Sequence, residues 1–281
     1  MEIVREIANI RKIVANARKQ GKTIGFVPTM GFLHEGHITL MREAKSVCDI
    51  VIASIFVNPL QFGAGEDYEE YPRDLDHDAA LAEQAGVHSI FAPSVLEMYP
   101  HGCSSFVEVI GITDCLCGAS RPGHFRGVTT VVMKLFNIVQ PDQAFFGQKD
   151  AQQAIVIKRM VEDLNLNISV VVVPIVREHD GLAMSSRNVF LSTTERKAAP
   201  ILFQALQEAQ KLLQAGERNA EYLRAVICKH IGTETLADID YVAINDLTSL
   251  KETRIITGPV LIALAVRFGI TRLIDNLIWE G

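Results

Sequence analysis

Two histidines and two glycines fall within ten residues at Pro28-Thr29-Met30-Gly31-Phe32-Leu33-His34-Glu35-Gly36-His37, directly after the apolar run Ile24 to Val27. Imidazoles at that spacing have more than one chemical use. A His-x-x-His pair can ligate a metal, but no third ligand cluster stands at motif spacing and Glu35 is the one carboxylate in the turn. A turn that leaves a strand and opens a helix is a phosphate site, because free helix amides and the positive dipole end attract an anion. An imidazole there donates to a phosphate oxygen, more strongly as charge develops in a transition state. Gly36 would let the backbone approach such a ligand closely. Phosphate handling, metal binding and histidines without function all stay open on these residues alone.

The elements that must hold this turn are written as alternation. Ile24 to Val27, Ile50 to Val57 and Ser169 to Val176 are short, β-branched and continuously apolar, the pattern of strands buried on both faces. Helical patterns lie between them: Gly36 to Ser46, Asp74 to Ala85, Gly127 to Val139 and Ala151 to Leu164. Strand, helix, strand at this spacing predicts an α/β fold with a Rossmann-like, doubly wound parallel sheet. In such sheets the first strand-to-helix turn is the favoured phosphate site, and the histidine turn occupies it.

After Arg177 the texture changes. A charged turn, Arg177-Glu178-His179-Asp180-Gly181, leads through Met184-Ser185-Ser186-Arg187-Asn188 to a helical stretch from Thr193, which Gly216 divides from a second helix over Ala220 to Ile231. Three strand-like runs follow: Ile239 to Ile244, Pro259 to Val266 and Thr271 to Ile278. The expected organisation is residues 1–176 as the Rossmann-like domain and residues 177–281 as a smaller α+β C-terminal domain.

Composition limits the partners. The 281 residues carry a formal net charge of -6, so no basic footprint for nucleic acid is present. No apolar run reaches the ~18 residues of a membrane span, and the charged start Met1-Glu2-Ile3-Val4-Arg5-Glu6 has no leader-like apolar region. A cytoplasmic protein with reduced thiols is expected, since the five cysteines are odd in number and scattered. Cys115 and Cys117, with one residue between them, are closer than paired zinc ligands usually stand.

The turn resembles the HIGH-type signature of nucleotidyltransferases and class I aminoacyl-tRNA synthetases. In its longer context the chain resembles the pantothenate synthetase family of pantoate–β-alanine ligases. The resemblance is carried by six segments in order: the histidine turn, Ser54 to Phe62 (SIFVNPLQF), Tyr71 to Asp78 (YPRDLDHD), Arg121 to Val128 (RPGHFRGV), Phe145 to Gln153 (FFGQKDAQQ) and Met184 to Ser192 (MSSRNVFLS). It implies an AMP-forming ligase that makes an amide bond. ATP and pantoate give an enzyme-bound pantoyl adenylate and pyrophosphate, and β-alanine then displaces AMP to give pantothenate.

The site residues follow from the same resemblance. Met30, Gly31, Phe32, Leu33, His34, Glu35, Gly36 and His37 would contribute to the ATP site, with His37 and His34 catalytic. Gly147, Gln148, Lys149 and Asp150 would form a second nucleotide segment, Val176 would meet adenine through its backbone, and Met184, Ser185, Ser186 and Arg187 would close over the triphosphate. Lys149 and Arg187 join the histidines as catalytic groups, because an anionic carboxylate attacking a phosphate needs cations and fixed donors. Gln61 and Gln153 would bind pantoate. Mg²⁺ is expected with the phosphates. The family links adjacent acids after YPR to that ion, whereas here His77 separates Asp76 from Asp78 and leaves Asp78 as the candidate ligand. A homodimer, and a C-terminal domain acting as a lid over the active site, are also implied. The competing reading is a nucleotidyltransferase that adenylates a phosphate ester; it would use the same histidines but gives no reason for Gln61 or Gln153.

Overall fold

The computed structural model of the chain describes every residue except Ala64. It divides into two compact units: Met1–Gln148 with Gln152–Pro174, and Lys149–Ala151 with Ile175–Gly281. The division at Pro174 lies close to the one expected from the change of texture, while the short segment Lys149–Ala151 goes with the second unit.

The first unit runs β1 (Glu2–Val4), α1 (Ile7–Lys19), β2 (Ile24–Thr29), α2 (Glu35–Val47), β3 (Ile50–Ile55), α3 (Leu75–Gln84), β4 (Ser89–Phe91), α4 (Val95–Met98), α5 (Cys117–Ser120), α6 (His124–Val139), β5 (Gln143–Gly147), α7 (Ala151–Asp163) and β6 (Ser169–Val173). Its six strands form one parallel sheet in the order β1-β4-β3-β2-β5-β6. Alternation along β2 and β3 explains their continuously apolar sequence: Phe26 and Ile52 pack on one face with Val14, Leu135 and Ile157, while Val27, Val51 and Ala53 pack on the other with Met41 and Ala82. The chain winds outward from β2 through β3 to β4, then returns to place β5 on the opposite side of β2. That reversal makes the carboxyl ends of β2 and β5 the topological switch point, where open α/β sheets bind ligands.

Three strands were not expected from the sequence, β1, β4 and β5, each of three to five residues. So short a segment shows no period of its own; its pairing is decided by the neighbouring strand. Strand β6 stops at Val173, before Pro174, whose ring nitrogen has no N–H for the ladder.

The second unit contains α8 (Thr193–Ala198), α9 (Ile201–Gln214), α10 (Ala220–Ile231), β7 (Ala237–Asp246), β8 (Val260–Phe268) and β9 (Thr271–Trp279). Its strands form an antiparallel sheet in chain order. Leu202, Leu206 and Leu213 of α9 and Leu223 and Ile227 of α10 pack with Val242, Ile262, Leu264 and Leu273 of that sheet. Gly216, at φ +98°, ends the first of the long helices where the sequence divides them.

One contact of the first unit sets a limit on its sequence. A Cβ added to Gly127 of α6 would lie 2.1 Å from the carbonyl oxygen of Leu60. Alanine gains up to ~1 kcal/mol of helix propensity over glycine. Here it meets backbone, which cannot rotate away, and overpacking costs about 1–3 kcal/mol. Gly127→Ala is therefore expected to lower the urea midpoint; a midpoint at or above that of the unaltered chain would refute this packing.

Candidate active site

The turn after β2 is shaped by a buried carboxylate. Asp78, on α3 and 1% exposed, accepts the Phe32 amide on Oδ2 at 2.8 Å and the Leu33 amide on Oδ1 at 2.6 Å. Burial holds the Asp78 carboxyl above its ordinary value, and those two amide bonds offset part of that rise. Gly31 has φ +86°, and any Cβ there would lie 2.9 Å from both Asp78 Oδ2 and Ile55 Cγ2, so no other residue fits. Phe32 follows at φ +51°, a left-handed conformation that non-glycine residues rarely adopt and that the two amide bonds hold in place. Thr29 completes the turn, accepting the Gly31 amide at 3.2 Å and donating to the Ser54 carbonyl at 2.7 Å.

The turn delivers the two histidines to the N-terminus of α2, where they cap the helix reciprocally. His34 is the N-cap, and its Nδ1 accepts the Gly36 amide at 3.1 Å. His37, at N3, accepts the His34 amide on its own Nδ1 at 3.3 Å. This is a capping box written in imidazoles rather than in Ser and Glu. An Nδ1 that accepts carries no proton, so each neutral ring has its proton on Nε2 and is an Nε2–H donor. The ring centroids stand 4.1 Å apart. Glu35 is exposed and pairs with Arg42. Gly31 thus lies directly against Asp78 and Ile55, and the Gly36 amide donates to the His34 ring.

Gln61 ends a short helical turn, Pro59–Gln61, after β3 and is 9% exposed. Its amide is oriented on both sides: Oε1 accepts from Asn58 Nδ2 at 3.3 Å and Nε2 donates to the Met30 sulfur at 3.0 Å. Asn58 is itself fixed, donating to the Gly127 carbonyl and accepting the Tyr99 hydroxyl at 2.9 Å. Burial pushes the Tyr99 pKa far up, so that hydroxyl keeps its proton. The Gln61 carbonyl is held by RPGHFRGV, through His124 Nδ1 at 2.8 Å and Arg121 Nη2 at 3.4 Å. Arg121 also donates to both oxygens of Glu66 and holds that carboxyl below the usual range against the pull of burial.

Asn58, Glu66, Tyr99, Arg121 and His124 were not assigned from the sequence. The signal available was Arg and His three apart at a helix start, which has no meaning until the Gln61 turn lies beside it. Gln153, on α7, is half-buried. Its neighbour Gln152 is buried and fastens the loop before α5 by donating to the Ile112 and Cys115 carbonyls and accepting the Cys117 amide.

The remaining expected residues lie on the second unit, apart from Gly147, which ends β5, and Gln148, which opens the short helical turn Gln148–Asp150. Lys149 Nζ stands 3.8 Å from the Asp150 carboxylate. Residues 176–184 form a hairpin in which Met184 donates to the Val176 carbonyl at 3.0 Å and Gly181, at φ +95°, makes the bend. Ser185 caps the turn Ser186–Phe190 by accepting the Arg187 amide. Asn188 ties that turn to the hairpin, donating to Glu178 Oε1 at 2.8 Å and to the Ala183 carbonyl at 3.2 Å. Arg196 in turn grips Glu178 and Asp180, each at 2.6 Å. The segment Met184 to Arg187 is therefore mounted on a bonded frame.

Among the described residues no three His, Cys, Asp or Glu side chains converge as a ready-made protein cage for Mg²⁺, and the candidate Asp78 uses each oxygen to accept one backbone amide.

The comparison with known proteins adds the family. The model of the family described as pantoate-beta-alanine ligase matches residues 2–278. The chain belongs to that family. It is similar to the pantothenate synthetase of Heliobacterium modesticaldum, 62% identical over 280 residues that cover 99% of this chain and 100% of the relative. The pantothenate synthetase of Pelotomaculum thermopropionicum is 59% identical, over 99% of each chain. The crystal structure of pantothenate synthetase from Thermus thermophilus superposes with a TM-score of 0.94 at 45% identity, covering 99% of both chains. The pantoate-beta-alanine ligase of Francisella tularensis, complexed with beta-gamma ATP and beta-alanine, gives 0.81 at 36% identity over 99% of this chain and 97% of that one. As a pantoate–β-alanine ligase the chain forms an amide bond between its two named substrates, which decides against adenylation of a phosphate ester. Among the described residues no helix is long and apolar enough to cross a membrane.

The Glu66–Arg121 pair gives this pantoate–β-alanine ligase a testable acid response. The folded-state pKa of Glu66 lies below its unfolded value, so between the two the unfolded chain binds the extra proton and stability rises with pH. The contribution is fully present above the ordinary Glu value of about 4.3 and disappears as pH falls through the lowered one. Thermal midpoints measured from pH 6 down to pH 3 should fall less steeply in Glu66→Gln than in the unaltered enzyme; parallel curves would show that the pair contributes nothing.

Proposed function

We propose that the ligase works in two steps, with ATP as co-substrate. A pantoate carboxylate oxygen attacks the α-phosphorus, the bond to pyrophosphate breaks, and pantoyl adenylate remains on the enzyme. The β-alanine amine then attacks the acyl carbon, the bond to AMP breaks, and the amine proton leaves to water. The ligands bound to the Francisella tularensis relative support ATP and β-alanine as the other two reactants.

The observation that carries this reading is the reciprocal cap at α2. Each imidazole is anchored through Nδ1, so His34 and His37 are N–H donors at a helix N-terminus beside the switch point of the sheet. Pantoate is already ionised at neutral pH, since carboxylates titrate near 4, so the first step needs no base. It needs donors to oxygens that gain charge, and preformed donors act without reorganisation. In this reading Met30 to His37 and Gly147 to Asp150 bind ATP. A Cβ on Gly147 would meet no described atom within 4 Å, so packing alone gives no reason for glycine there, while a nucleotide seated against that backbone does.

Lys149 acts on the phosphates as a point charge, and Arg187 with its planar fork, helped by the Ser185 and Ser186 hydroxyls. Val176 meets adenine. Gln61 and Gln153 hold pantoate with neutral amides, which donate and accept without clamping the attacking carboxylate in the ground state. Asp78 shapes the turn. Mg²⁺, which keeps several waters and binds through substrate phosphates, would arrive on the triphosphate.

Enzyme supplied with ATP, Mg²⁺ and pantoate should exchange labelled pyrophosphate into ATP before any amine is added. An enzyme that exchanges only when β-alanine is present does not form a free-standing adenylate, and the two-step reading then fails. His37→Ala should lower kcat by about 10²- to 10³-fold, with loss of the cap costing stability only about 1 kcal/mol. A folded variant that turns over at a near-normal rate would remove His37 from the chemistry.

A further inference from the structure

Strand β9 reads Leu273-Ile274-Asp275-Asn276-Leu277-Ile278, and its apolar run is broken at the centre by two polar residues only 2% and 4% exposed. Successive strand residues point to opposite faces, so each serves a different neighbour. Burying a carboxylate and an amide is costly unless both are bonded, and the bonds they make lead to Arg177 and to the backbone of Lys149.

Asp275 faces Arg177. The guanidinium meets it in a fork, Nη1 at 2.7 Å from Oδ2 and Nη2 at 2.9 Å from Oδ1, and stacks 4.0 Å above the Phe203 ring. Nη1 also donates to the Gly181 carbonyl at 3.0 Å. Arg177 pairs through its backbone with Ala183, whose carbonyl accepts from Asn188. One side chain therefore braces the hairpin that leads into Met184, Ser185, Ser186 and Arg187. Asn276 serves the other face, its Nδ2 donating to the Lys149 carbonyl at 2.9 Å, and its own amide bonds to Asp275 Oδ1 at 2.8 Å. Burial pushes the Asp275 carboxyl up, Arg177 pulls it down, and the Lys149 charge adds to that pull.

We propose that Asn276 and Asp275 are positioning residues of the ligase reaction. Asn276 sets the backbone from which Lys149 reaches the phosphates, and Asp275, through Arg177, sets the hairpin that presents Arg187. One strand thereby registers two cations that are 38 residues apart in sequence, by subtraction of their numbers. The inference rests on the reading that Lys149 and Arg187 act on ATP.

The test is a double-mutant cycle on the full-length enzyme with steady-state kinetics in ATP and in pantoate. Asn276→Ala should lower kcat/KM for ATP by about ten- to a hundredfold, the scale of a misplaced reacting partner, and leave KM for pantoate unchanged. In a Lys149→Ala background the same substitution should have no further effect, because two residues acting as one unit do not add. Asn276→Asp keeps the volume and removes the donor, so it repeats the comparison if the alanine variant does not fold. An equal loss in both backgrounds, or a loss spread evenly over ATP and pantoate, would show a merely structural role and overturn the inference. Wild-type kinetics in Lys149→Ala alone would instead overturn the reading on which it rests.

Discussion

The first unit's candidate site depends on one buried carboxylate. Asp78 accepts two consecutive backbone amides, Phe32 and Leu33, at 2.8 and 2.6 Å, and so bends the chain sharply between the end of β2 and the start of α2. An isolated buried carboxylate costs several kcal/mol; amides aimed at both oxygens offset that and make the turn the arrangement that satisfies it. The turn in turn demands Gly31, since the space for its side chain is taken by Asp78 itself. Everything downstream follows from where α2 then begins: His34 falls at the N-cap and its ring takes the Gly36 amide, and His37 falls one turn in and its ring takes the His34 amide. A residue that the family resemblance offered to a metal is thus bound to the backbone of the turn.

The two units use different electrostatics. On the first unit the groups assigned to substrate are neutral: two imidazoles with Nδ1 committed to backbone, and a glutamine amide oriented by Asn58 and Met30. On the second they are cations, Lys149 and Arg187, on a frame of Arg177–Asp275 and Arg196–Glu178–Asp180 ion pairs. The difference suits the proposed first step, in which an anionic carboxylate meets a polyanionic triphosphate. In that proposed step, neutral donors would orient the attacking carboxylate without trapping it, and the full charges would meet the departing pyrophosphate. Buried forked pairs are a costly way to gain stability. The Arg177–Asp275 fork holds its loop in one arrangement, and the part-exposed pairs of Arg196 with Glu178 and Asp180 brace the same hairpin.

Legibility in the sequence differed from element to element. Long periodic segments were readable: α2, α3, α6, α7 and α10 and the strands β2, β3, β7, β8 and β9 lie where the apolar patterns placed them, to within a few residues. Strands β1, β4 and β5 were not, because three to five residues at an edge or beside a long partner carry too little pattern. The histidine turn was legible as a phosphate device only at the level of three open alternatives, since residue types and spacing do not say what lies opposite. Resemblance across six segments narrowed it, yet the supporting residues stayed hidden. Arg121, His124 and Glu66 are distant in sequence from the glutamine they brace, and Asp275-Asn276 looked like part of an ordinary strand.

What the sequence determined by itself was the class of fold, the alternation that builds a parallel sheet, and the family whose chemistry the six segments match. Those are local properties: period, turn residues and short motifs are written in consecutive positions. Tertiary structure alone decided that His34 and His37 present Nε2–H, that Asp78 serves the backbone, and that one strand ties Lys149 to the hairpin before Arg187. Each of these is a hydrogen bond or ion pair whose direction depends on which atoms are brought within about 3 Å, often across long stretches of chain. Spacing along a sequence constrains which side chains share a face; only the packed fold determines which of them meet.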